Sequence, residues 1–85
     1  MARALTIQRK IVPQADRAKY LERVRLRRAY YERVQCTFWI AEEAELPGAF
    51  IEFTEAESRK TLAAAHASAP EPLLDARRIY QEVEI

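Results

Sequence analysis

One histidine and one cysteine in 85 residues leave this chain few groups able to move a proton or attack a carbon at neutral pH. His66 is the first candidate. Its ordinary pKa lies near neutrality, and it follows Leu62 by one helical turn, which suits a general base or a hydrogen-bond donor to a ligand. Arg28 is the second. At about 100° per residue it falls close to Val24 and Leu21 on the apolar stripe of a long helix, with Arg17 on the same line. A guanidinium there needs a partner, which could be a ligand oxygen or the carboxylates of Glu42 and Glu55. Tyr20 and Tyr31 would line the walls, and two carboxylates on one face could divide acid and base work. Each has a plainer reading: Arg28 snorkelling to water, His66 as a core imidazole, both glutamates at a wet sheet margin. Cys36 reads as a small packing residue, and nothing supports a nucleophilic triad.

The elements that must position these groups follow from periodicity. Residues 4–12 alternate, Leu5, Ile7 and Ile11 against Thr6, Gln8 and Lys10, as a half-buried strand does. After Pro13, residues 14–34 hold no Gly or Pro and are rich in good helix formers, so a helix of roughly five turns is expected, with Tyr20, Leu21, Val24 and Tyr31 facing the sheet. Residues 36–44 and 49–54 flank Leu46-Pro47-Gly48-Ala49 and read as a β-hairpin. Pairing symmetric about Pro47 and Gly48 places Phe38, Ile40, Glu42, Ala44, Ile51, Phe53 and Glu55 on the core face. Thr37, Trp39, Ala41, Glu43, Phe50, Glu52 and Thr54 then share the other face, unless a bulge in 41–45 exchanges them. Thr54 and Glu57 have capping-box spacing ahead of a second helix over 58–67, with Leu62 and His66 inward. Pro70 and Pro72 end that helix, Leu73 and Leu74 plug the core edge, and residues 77–85 form a fourth strand. The order strand, helix, strand, strand, helix, strand is an α+β, ferredoxin-like βαββαβ sandwich in one domain, 1–85, with both helices on one face of an antiparallel four-stranded sheet.

Composition narrows the function classes. Hydrophobic residues at 49%, charged residues at 32% and a single Gly describe a chain that folds. Fourteen Lys and Arg against thirteen Asp and Glu give +1, without the basic footprint of a dedicated nucleic-acid binder. A lone cysteine excludes an intrachain disulfide and a clustered zinc site, which fits the cytoplasm, and no cofactor or metal is expected. No segment reads as a signal peptide or a membrane span, so no membrane partner is expected. Trp39, Phe50 and Tyr80 fall on the face away from the helices. Burial against a second copy is the ordinary fate of such a patch.

Two resemblances bear on function. Ala49-Phe50-Ile51-Glu52-Phe53 resembles the end of the ribonucleoprotein motif of RNA recognition domains, but Leu46, Pro47 and Gly48 stand where that motif carries a basic residue, a Gly and an aromatic, and Thr6 stands where its partner motif has an aromatic. Glu43, Glu52, Glu82 and Glu84 on the open face would repel phosphates, so nucleic acid is not an expected partner. Over most of its length the chain resembles the antibiotic biosynthesis monooxygenase-like family of the dimeric α/β barrel superfamily. The resemblance rests on Gln35-Cys36-Thr37-Phe38 at the start of the second strand, Glu55 at the Glu of an E-x-W motif, and His66 followed by Pro70. Glu57 replaces the motif's tryptophan and the first strand has no Asn, so the haem degradation of some relatives is not carried over. What the resemblance implies is a homodimer with sheets face to face and a helix-to-sheet pocket. The implied ligand is a small aromatic or enolisable compound, oxidised or isomerised without a cofactor, with Arg28 holding its oxygen and His66 moving a proton. A non-catalytic ligand-binding or assembly module of the same fold is the alternative. A polar-tipped pocket beside Arg28 and His66 would favour the enzyme, and a filled core the module.

Overall fold

The computed structural model describes residues 3–85. Its elements are β1 (Ala4–Ile11), a 3-10 turn (Gln14–Asp16), α1 (Arg17–Arg33), β2 (Thr37–Glu42), β3 (Ala49–Ala56), α2 (Arg59–Ala67) and β4 (Tyr80–Gln81). The sheet order is β2-β3-β1-β4 with every pairing antiparallel, and both helices cover one face: the ferredoxin-like βαββαβ arrangement. The expected first helix divides, its opening turn being 3-10. It ends in a Schellman motif, with Gln35 at φ 65 while Gln35 N–H donates to Glu32 O and Cys36 N–H to Tyr31 O. At the start of α2 the cap is Ser58, whose Oγ accepts from Thr61 N–H, and Thr54 stays inside β3.

The largest departure from expectation is the hairpin register. Phe38 pairs with Thr54, Ile40 with Glu52 and Glu42 with Phe50, so the turn is centred near Leu46 and not between Pro47 and Gly48. Glu43 N–H donates to Ala49 O to close the loop, and Leu46 O accepts from Ala49 N–H. That shift of three residues changes the parity and sends every β3 side chain to the other face. Phe50, Glu52, Thr54 and Ala56 lie under the helices and are buried, whereas Ile51, Phe53 and Glu55 join Trp39 on the open side. β1 is inverted as well: Ala4 and Thr6 are buried, and Ile7 is 43% exposed.

Gly48 fixes the loop against β1. Its carbonyl accepts from Val12 N–H at 2.7 Å, its φ is +94°, and a Cβ there would sit 2.7 Å from Val12 O. The fourth strand is only two residues long, although Glu82 N–H adds one more bond to Arg3 O. Leu74, expected to plug the core, is 90% exposed. Among the described residues no helix is long and apolar enough to cross a membrane.

Candidate functional site

The core stripe of α1 is Tyr20, Val24, Arg27 and Tyr31. Its spacing of four, three and four residues centres the buried direction so that Arg27 lies about 30° from it and Arg28 about 70° away. The structure therefore corrects the expectation for Arg28. That side chain is 59% exposed and meets Glu32 at 3.7 Å on the helix surface, and the buried guanidinium belongs to Arg27. Its partner is Glu52, placed there by the register of β3.

Glu52 collects three donors. Arg27 Nη1 at 3.1 Å and Gln8 Nε2 at 3.2 Å reach Oε1, and the Tyr20 hydroxyl donates to Oε2 at 2.8 Å. Both salt-bridge side chains are buried, at 5% and 1% exposure, where removing either partner strands a charge. The Arg27 guanidinium also lies over the Phe38 ring, 4.7 Å from its centroid. Its Nε has no hydrogen-bond partner. Burial, then the hydrogen bond and charge of Glu52, raise the Tyr20 phenol well above its ordinary value.

Beside this cluster runs a second chain of polar groups. His66 Nδ1 meets the Tyr31 hydroxyl at 2.9 Å, and Nε2 meets Thr6 Oγ1 at 2.8 Å. Either tautomer satisfies both ring nitrogens, because each hydroxyl can donate or accept. Burial, and then the Arg27 charge, push His66 below its ordinary pKa, so the imidazole is neutral at pH 7. Burial pushes the Tyr31 phenol up to about 12. Phe38 stacks on Tyr31 at 5.3 Å and joins the two clusters. His66, Tyr20 and Tyr31 thus converge in the interior, as their spacing suggested.

The two carboxylates picked from the sequence do not converge there. Glu42 holds Arg17 through two hydrogen bonds, 2.7 and 3.0 Å, and accepts Gly48 N–H at 2.9 Å, which pulls its pKa down to about 2. Glu55 lies on the opposite face of the sheet and meets Arg3 Nη1 at 3.0 Å. Sequence reasoning missed Arg27 and Glu52; the four-three-four spacing of the stripe and a loop centred near Leu46 were the signals that would have found them. Of the three aromatics expected on the open face, Trp39 and Tyr80 are there, while Phe50 is buried against the Tyr20 ring at 4.8 Å. Trp39 stacks on Phe53 at 4.0 Å.

The interior offers Arg27 Nε as a hydrogen-bond donor to an oxyanion and His66 as a proton acceptor. Among the described residues, the surface clefts at the start of α1, at the β4 edge and between the two helices are lined by none of His66, Arg27 and Glu52. Among the described residues no three His, Cys, Asp or Glu side chains converge to hold a metal ion.

No family model matches the sequence, and no curated protein matches it. A solved structure does: a protein of Nitrosomonas europaea described as a putative antibiotic biosynthesis monooxygenase, 18% identical, superposes with a TM-score of 0.68. The similarity covers 94% of this chain and 86% of that one. The chain has the fold of an antibiotic biosynthesis monooxygenase-like protein over nearly its whole length.

Proposed function

We propose that this chain is a small-molecule-binding protein that takes an enolisable aromatic compound into its helix-to-sheet interior and oxidises or isomerises it without a cofactor. The observation that carries this reading is the unpartnered Arg27 Nε, a buried donor beside a neutral imidazole. A buried donor left unsatisfied calls for an explanation, and an enolate oxygen supplies one. Arg27 takes the role first given to Arg28. His66, on releasing the Thr6 hydroxyl from Nε2, removes a proton from the acidic carbon and becomes imidazolium, while the oxygen that gains charge accepts a hydrogen bond from Arg27 Nε. Return of the proton to another carbon completes an isomerisation. Attack of the carbanion on dioxygen completes an oxidation, in which a methylene becomes a carbonyl and its two hydrogens leave with the second oxygen atom as water.

The fold shared with the Nitrosomonas europaea protein supports the class of reaction, and the open face of the sheet supports a homodimer. Ile7, Trp39 and Tyr80 are each more than two-fifths exposed there, with Phe53 and Ile51 beside them. Nucleic acid is disfavoured on that face, because Phe50 is in the core and Arg3 and Arg9 are paired with glutamates. That the clefts at the start of α1, at the β4 edge and between the helices are lined by none of His66, Arg27 and Glu52 favours the second reading, a ligand-binding or assembly module without chemistry. Solvent deuterium exchange at the acidic carbon of enolisable aromatic ketones separates them. Exchange above the buffer rate that disappears in His66→Gln, with the fold intact by circular dichroism, supports the enzyme; a rate equal to buffer across the panel supports the module.

A further inference from the structure

The cleft at the start of α1 has a chemistry of its own, apart from the interior just described. It encloses about 220 Å³ and is walled on one side by Ile11, Val12 and Pro13, where β1 runs into the 3-10 turn, and on the other by the ring of Tyr20. Lys10, Lys19 and Arg23 border it, against Asp16 alone of opposite sign. Arg23 is engaged by Glu71 through two hydrogen bonds, whereas neither Lys10 nor Lys19 has a carboxylate within 4 Å among the described residues. Lys10 leaves the helix-facing side of β1, is half-buried and lines the cleft. The N-terminal end of the 17-residue α1 opens on the same space, and Asp16, its N-cap residue, makes no side-chain capping bond. Partial positive charge from that helix end adds to the two ammonium groups, of which Lys10 also lies in the field of the Glu71 carboxylate.

We propose that this cleft binds a small organic carboxylate, with the acid group between Lys10 and Lys19 and a compact apolar body against Val12, Pro13 and Tyr20. The volume suits a single ring or a short branched chain, and the two walls exclude a bare inorganic anion as the preferred occupant because they reward apolar contact. Asp16 opposes the ligand's charge, which gives the proposal a signature of two signs. Removing a lysine charge weakens binding, and removing the Asp16 charge strengthens it.

The test is a titration followed by amide nitrogen-proton chemical shifts on the full chain, with phenylacetate, its neutral isostere phenylacetamide, and inorganic phosphate as three probes. The expected result is saturable shifts at Lys10, Val12, Lys19 and Tyr20 with phenylacetate, none at the Trp39 indole, and much weaker binding of the amide and of phosphate. Lys10→Gln and Lys19→Gln should each weaken phenylacetate about three- to fivefold, and Asp16→Asn should tighten it about twofold or more, in the range of exposed charge pairs. All three are surface changes that leave the thermal midpoint in place, so a lost fold does not confuse the readout. Equal binding of the amide, equal binding of phosphate, or indifference to all three substitutions would overturn the site. None of these outcomes depends on His66 or Arg27, so the interior's chemistry stands or falls separately.

Discussion

The two faces of this sheet divide polar and apolar side chains in an uncommon way. Under the helices, beside Ala4, Phe38, Phe50 and Ala56, lie Thr6, Gln8, Glu52 and Thr54, polar and mostly buried; on the open side lie Leu5, Ile7, Trp39, Ile51 and Phe53, apolar and partly wet. A monomer selected for stability alone would exchange them, since apolar burial drives folding and buried polar groups must be matched one by one. The helix-facing side instead holds a hydrogen-bonded network around Glu52 and His66, which confers geometry at some cost in stability. The open side holds surface that gains only when something covers it.

The sharpest way to break the comparison is at its centre. Glu52→Ala strands the Arg27 charge and should lower unfolding free energy by about 3 to 5 kcal/mol, measured by urea denaturation at pH 7, whereas Arg27→Met combined with Glu52→Leu should recover most of that loss. If the single and double variants unfold alike, the pair is not what organises the interior.

Next in size is the contrast between neighbouring phenylalanines. Phe53→Asp should leave the helical spectrum intact and halve the sedimenting mass, removing about 1.5 to 3 kcal/mol of apolar burial per copy from the dimer. Phe50→Asp should abolish the fold, because Phe50 is buried against Tyr20. A wild-type chain that sediments as a monomer at high micromolar concentration would remove the dimer altogether.

Acid should find the polar side first. His66 has a folded pKa below its ordinary 6.5, so below that pH the unfolded chain binds a proton the folded chain refuses. Stability therefore falls as the pH drops through and below 6.5, with a slope of up to about 1.4 kcal/mol per pH unit from this group until its folded pKa is passed. His66→Gln should flatten the curve in that window. A second, separate loss begins nearer 4.5 and runs toward 2 as the carboxylate of Glu42 gives up Arg17 and Gly48. The smallest effect belongs to Arg28→Ala, within about 0.5 kcal/mol of wild type by the same denaturation, since that side chain meets only Glu32 in water.

How far the sequence reached is explained by the same inversion. Element order and helix placement were legible because runs free of Gly and Pro, and alternation around Pro47-Gly48, mark elements whichever way they face. Face assignment was not, because it rests on the premise that the apolar side points inward, and here β1 and β3 turn that side outward. Hairpin parity added a second obstacle: Pro47-Gly48 looks like a two-residue turn, yet the loop runs from Glu43 to Gly48. Glu52 was consequently read as a surface charge. His66, Tyr20 and Tyr31 are legible because their helical spacing does not depend on the sheet, whereas Arg28, one turn from Val24, suggests a stripe more steeply inclined than the real one.

Trp39 is the chain's single tryptophan, and it lies flat on Phe53 with 45% of its surface in water. An indole emits at longer wavelength when water surrounds it and at shorter wavelength when water leaves, and dissolved iodide quenches only the former. The open face therefore carries a built-in optical gauge, needing no label, whose colour and quenching follow protein concentration if a second copy covers it. The aromatic residues described on the helix-facing side are tyrosines and phenylalanines, so light absorbed only by indole reports on one surface of the sheet and is blind to the other.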